Sequence, residues 1–183
     1  MNSQEYIDFI KLCATSHPEI LHRENVENPN NSEDVEQPNI RFSIKGEKVF
    51  TETTGAGDLN TNEFCVIICP NEFEAPFWDN NTVSYKDYSF NFEIAKYCAA
   101  SDEVAQLSAQ QNAERIGQDF CNEIKYYMME CIPPFDRGTD IPTKIIGNPT
   151  AGGKASLYGY RFEIPIRTHI PGVESHTSFT LNP

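Results

Sequence analysis

Basic residues are scarce in this chain. Fourteen Lys and Arg stand against 27 Asp and Glu, a formal net charge of −13. That imbalance excludes gripping a phosphate backbone, which needs Lys and Arg gathered on one surface. An acidic surface keeps a protein in solution and repels nucleic acid nearby. Long apolar runs are missing as well. No stretch approaches the roughly 18 apolar residues of a membrane span. The opening "MNSQEYIDFIKLCATSH" has neither a basic leader nor the apolar core of a signal peptide. The chain is therefore expected to stay in the cytoplasm where it is made, with no membrane partner. Its six cysteines (13, 65, 69, 98, 121 and 131) are then expected as reduced, mostly buried thiols. The glycosylation-like triplets at Asn30 and Asn80 carry no weight without secretion.

Catalytic and metal motifs are missing too. "CVIIC" at 65–69 suggests a metal site, but on a strand its two cysteines are about 13 Å apart. Zinc–sulfur bonds of roughly 2.3 Å forbid a shared ion. Cys121 and Cys131, ten residues apart on a helix, are about 15 Å apart and cannot bridge. "GNPTAGGKAS" at 147–156 superficially matches a phosphate loop. In that register Asn148 takes the first Gly position and Ala155 the Ser/Thr position, and a strand follows where a helix N-terminus is required. It reads as a hairpin connection. The histidines (17, 22, 169 and 176) form no HExxH. His169 and His176 flank a Pro-Gly turn and read as surface residues. Acidic clusters such as "SEDVE" have no apolar walls to raise a pKa, and no nucleophile elbow occurs. We assign no catalytic, cofactor-binding or metal residue and expect no enzyme.

What remains is patterned for a fold. The 183 residues suit one domain spanning 1–183. Tyr6, Phe9, Ile10 and Cys13 recur at helical spacing, predicting a short amphipathic helix over 3–14. The segment from Arg23 to Asn39 is acidic and Asn-rich and reads as a mobile loop. "IRFSIKG" alternates as a strand, and "EKVFTETTGAGD" continues as a hairpin arm with a flexible tip. "EFCVIICP" is apolar on both parities, as in a strand covered on both faces. A polar, aromatic loop over 71–81 holds Phe73, Phe77 and Trp78, residue types that anchor partner surfaces.

"VSYKDYSFNFEIAKYC" alternates next, followed by one long helix from Ser101 to Cys131. Ser101 suits its N-cap, Pro133 and Pro134 stop it, and Val104, Leu107, Ala113, Ile116, Phe120, Ile124 and Met128 mark its apolar face. Gly117 lies on that face, where a missing side chain lets the helix approach a sheet closely. "SLYGYRFEIPIRTHIPG" (156–172) repeats the alternation of residues 85–97, with Arg161, Glu163 and Arg167 on its polar parity. Pro165, lacking an N–H, places this strand at an edge or a bulge. A short flexible tail closes the chain. Strands with helices on one face predict an α+β architecture: an antiparallel, curved sheet packed against one long and one short helix.

On "SQEYIDFIKLCA", "YSFNFEIAKYCA", the helix from Ser101 to Cys131 and "YGYRFEIPIRTHI", the element order resembles that of phage tail terminator and head–tail joining (neck) proteins. The resemblance covers most of the chain as element order. It implies a virion protein, assembled in the host cytoplasm as a homo-oligomeric ring of six subunits. The ring would cap the tail tube and mate with a neck protein. DNA would pass through without specific binding and without a cofactor. Phe73, Phe77, Trp78, Arg161, Glu163 and Arg167 are then candidate subunit or partner contacts. The competing reading is a soluble ligand- or protein-binding domain of non-viral origin, and a third is a small enzyme without a familiar motif.

Overall fold

The structure, a computed structural model, describes residues 3–24, 39–44, 61–74, 84–130, 139–140, 144–152 and 156–170. Most of the acidic loop, the Gly-containing tip, Phe77, Trp78 and the tail lie outside the described residues. Two helices, α1 (Ser3–Ser16) and α2 (Glu103–Glu130), accompany six strands. These are β1 (Phe42–Ile44), β2 (Cys65–Glu74), β3 (Ser84–Tyr97), β4 (Thr139–Asp140), β5 (Ile146–Gly152) and β6 (Leu157–Ile170).

Five strands lie in the order β1-β2-β3-β6-β4, and β5 joins β6 beside β4. The α+β class is as expected, but the sheet is mixed and not purely antiparallel. β1 runs parallel to β2, with Phe42 opposite Val66, while every other pairing is antiparallel. A parallel pair cannot be joined by a two-residue hairpin, and twenty residues separate β1 from β2 in the sequence.

The two segments with the clearest alternation turn out to be neighbours. β3 and β6 pair from Ser84↔Ile170 to Tyr97↔Leu157 without a register shift. Like parities therefore face each other: Phe90 is opposite Ile164, Phe92 opposite Phe162 and Ile94 opposite Tyr160. Phe92 and Phe162 stack with ring centroids 5.1 Å apart. This parity forms the main core with Val66 and Ile68 of β2, Tyr6 and Ile10 of α1, and the stripe of α2 through Ala113, Ile116, Phe120 and Ile124.

β2 is apolar on both parities because both of its faces are covered. Cys65 and Ile67 are buried with Ala95 and Leu157 in a second cluster, on the parity opposite Val66 and Ile68.

Several expectations need correction. Phe73 lies in β2 and not in a loop, and 147–152, read as part of a connection, form most of β5. β6 is not an edge strand, since β3 flanks it on one side and β4 and β5 on the other. Pro165 falls between the last β5 pair, at Glu163, and the first β4 pair, at Arg167. A residue with no N–H is tolerated there because no described residue pairs with 164–166 from that side.

On α2, Val104 and Leu107 are 81% and 58% exposed and do not join the core stripe. At about 100° per residue, Leu107 lies roughly 160° round the helix from Ala109, where the buried stripe begins. The N-cap is Asp102 and not Ser101: its Oδ1 accepts the Ala105 N–H at 2.9 Å. Helix α2 runs unbroken past Gln110, whose side chain donates to the Thr150 carbonyl.

Two contacts set how the helices sit. A Cβ on Gly117 would overlap the Phe162 ring, so α2 rests on β6 only because that position is bare. At the end of α1, Leu21 adopts a left-handed φ of 48° and turns buried His22 back under the sheet edge. The His22 N–H donates to the Ala14 carbonyl, and its Nδ1 accepts the Arg41 N–H at 3.2 Å. Its ring tilts against Phe42 at 5.7 Å. Glu24 Oε1 stands 3.7 Å from Nε2 and is held by Lys11 at 2.6 Å. Burial pulls the His22 pKa below its usual 6.5.

Gly117→Ala should cost about 1–3 kcal/mol through overpacking, against a helix-propensity gain of at most about 1 kcal/mol. Urea unfolding should show the net loss, and adding Phe162→Leu should recover part of it. Because His22 binds its proton less readily folded than unfolded, its contribution to stability is complete above about pH 6.5. That contribution erodes as pH falls from there towards the depressed folded pKa. Thermal melts between pH 7 and 5 should show this slope, and a folded His22→Gln variant should lose it.

Candidate functional site

Of the residues singled out in the sequence, the structure brings the polar parity of β6 into one band. Arg161 lies opposite Glu93 on β3 and Asn148 on β5. Glu163 lies opposite Asn91 and Ile146. Arg167 falls in register between Asp87 and Asp140. Phe73 pairs with Tyr88, in the register row of Ile166 and so one residue off Arg167. Phe77 and Trp78 lie outside the described residues.

The band is knit within the chain. Ser89 Oγ donates to Glu163 Oε1 at 2.9 Å, and Thr150 Oγ1 donates to Glu93 Oε1 at 2.6 Å. Half-buried Arg161 forms no ion pair with a described residue. Asn91 is fully buried in the same band. These groups sit on the sheet face away from the helices, with the second apolar cluster beside them.

A concave site occurs on the opposite side, where sequence reading assigned nothing. Helices α1 and α2 flank a groove of about 550 Å³, a size within the usual range for ligand pockets. Phe9, Leu12, Cys13 and His17 line it from the α1 side, and Asp119, Phe120 and Glu123 from α2. The helices form this wall because their core-facing residues are already committed. Tyr6 meets Phe90 at 4.4 Å, and Phe9 meets Tyr127 at 4.6 Å. Phe9 and Cys13, at the margin of that core, also line the groove, with Leu12 beside them.

Its polar side is ordered. His17 Nδ1 accepts the Glu19 N–H at 3.2 Å, which places the ring proton on Nε2. That nitrogen faces Asp119 Oδ2 at 3.4 Å. Arg115 binds both oxygens of Glu19, at 2.6 and 2.7 Å.

A thiol, an imidazole and a carboxylate within one groove invite comparison with a nucleophile, base and orienter set. The thiol chemistry argues otherwise. Burial, reinforced by the charge of Glu123, pushes the Cys13 pKa up to about 12. An activated cysteine needs the reverse shift. Cys65 and Cys121 are also raised to about 12 by burial, and Cys65 donates to the Ala95 carbonyl. Cysteines 13, 65, 98 and 121 are all unpaired thiols. Among the described residues, no three His, Cys, Asp or Glu side chains gather as a metal set. No helix among the described residues is long and apolar enough to cross a membrane.

Sequence reading missed the groove because Phe9 and Cys13 belong to one helix stripe and Phe120 to another, a hundred residues away. The available signal was the pair Asp119 and Glu123, one turn apart beside an apolar stripe.

Site-mapped alkylation with iodoacetamide at pH 8 tests the thiol assignment. A rise from 9.0 to about 12 leaves about a thousandfold less thiolate than an ordinary cysteine at the same pH. Cys13 should therefore label far more slowly than a model thiol, and Glu123→Gln should speed it modestly. Fast labelling of Cys13 would reinstate a nucleophile.

No family model matches this chain, and no curated protein matches it.

Proposed function

We propose that the chain is a structural assembly protein that forms a homo-oligomeric ring, like the tail terminator and head–tail joining proteins its element order resembles. One observation carries this reading. A short helix, sheet strands, one long helix and a long final strand follow in that order, with both helices packed on the same parity of the sheet.

The layering leaves a second face on which Arg161, Glu93 and Glu163 are half-buried. Charges of both signs in adjacent rows suit a contact between like subunits, where each sign can meet its opposite. The outer strands favour side-chain contact over strand addition. β1 has three residues, and β5 carries Pro149, which removes a ladder donor. The net charge of −13 fits a lumen that lets DNA pass without holding it. Under this reading the partners are copies of the chain, a tail tube and a neck protein, and the place of action is the virion. The groove between α1 and α2 favours the alternative, a ligand- or protein-binding domain that works as a single chain.

Mass measurement of the purified full chain separates the two. The ring predicts a species near six times the 20.7 kDa chain mass, annular in negative-stain images and dissociating as salt screens its ion pairs. A folded protein that stays monomeric at tens of micromolar would overturn the ring and leave the binding domain.

A further inference from the structure

We propose that the groove between α1 and α2 binds a small organic ammonium ligand carrying an apolar body. The inference concerns the chain as folded and holds whether or not it assembles.

The floor and the rim of the groove differ in kind. Phe9, Pro18 and Leu12 supply apolar surface, and Leu12 is 61% exposed. A hydrocarbon or aromatic body would cover these atoms, and ring faces also favour an adjacent cation. On the rim, Asp119 and Glu123 stand one turn apart on the same side of α2. No Lys or Arg is among the described lining residues.

The Arg that reaches Asp119 is already engaged elsewhere. Arg115 holds the Glu19 carboxylate at 2.6 and 2.7 Å and approaches Asp119 only to 3.9 Å. His17 turns its Nε2 proton towards Asp119 Oδ2, so this carboxylate is oriented while Oδ1 has no partner among the described residues. Glu123 forms no ion pair with a described residue. Its charge already reaches the groove wall, since it helps keep the Cys13 thiol protonated.

Two rim carboxylates, of which only Asp119 meets an Arg or Lys and that at 3.9 Å, select against anions. A metal ion is disfavoured, because hard cations need about six oxygen ligands and the floor offers carbon. A second copy of this chain, at −13, would bring like charge to an acidic rim. An ammonium on an apolar body satisfies the rim and the floor together.

Saturation-transfer NMR on the full chain tests this at any assembly size, using 2-phenylethylammonium as the probe. Its neutral counterpart 2-phenylethanol and the anion phenylacetate are the controls. The ammonium should bind most tightly, the alcohol more weakly, and the anion not detectably. Asp119→Asn and Glu123→Gln should each weaken the ammonium about two- to five-fold, the range of an exposed charge pair, and leave the alcohol unchanged. Both side chains are exposed, so melting curves should confirm intact variants. Glu103→Gln, an equal charge change on exposed surface at the start of α2, should have no effect. Equal affinity for ammonium and alcohol would overturn the proposal. So would an ammonium affinity that both groove substitutions leave in place, or that Glu103→Gln lowers equally.

Discussion

The ladder between β3 and β6 is the constraint on which the other contacts depend. Its pairs run from Ser84↔Ile170 to Tyr97↔Leu157 without a shift. A slip of one residue would turn every side chain of β6 to the other face. Phe162 would then leave its stack with Phe92 and its seat under Gly117, and Arg161 would enter the apolar layer. Burying an unpaired guanidinium costs far more than the roughly 1.5–3 kcal/mol gained per buried apolar side chain. The register is therefore held from both faces, by what must be buried and by what must not.

From that ladder the position of α2 follows. Gly117 and the Phe162 ring fix the helix height above the sheet, and Ile116, Phe120 and Ile124 fill the space on either side. Helix α1 is placed on the sheet by Tyr6 on Phe90 and against α2 directly by Phe9 on Tyr127. Both helices are anchored on the sheet along their inner stripes. The groove is what remains between the two helices once these contacts are made.

Much of this was legible in sequence where a period was long and clean. The alternation of β3 and β6 gave both strands and both parities, and Gly117 on an apolar stripe announced a close helix–sheet approach. Reading failed where one residue had several physical outlets. Pro165 fits an edge or a bulge, and it also fits the gap between two short partners of an interior strand, which is where it lies. Ser101 and Asp102 are both good caps, and only the backbone path selects Asp102. Val104 and Leu107 have helical spacing with each other but the wrong phase with Ala109. His22 is buried by a turn that no pattern marks. The groove was hardest to see, because His17 and Asp119 meet across 102 positions.

The two faces of the sheet also differ in how they treat charge, and this bears on function. On the helix-free face, Glu93 and Glu163 each bond a neighbouring hydroxyl, which satisfies part of a carboxylate while leaving its charge uncancelled. Such groups are costly to desolvate further unless an opposite charge arrives. That face can accept a partner only if the partner is matched to it, a condition that favours selective contact over indiscriminate sticking. In the groove the carboxylates stay exposed and the apolar floor is open, so a small ligand meets a lower desolvation cost. The two proposed contacts thus make different demands: the broad face needs a large, complementary surface, and the narrow cleft needs only a small ligand. The sheet lies between them: the face is built from one strand parity, whereas the groove is lined by the helices and the turn after α1.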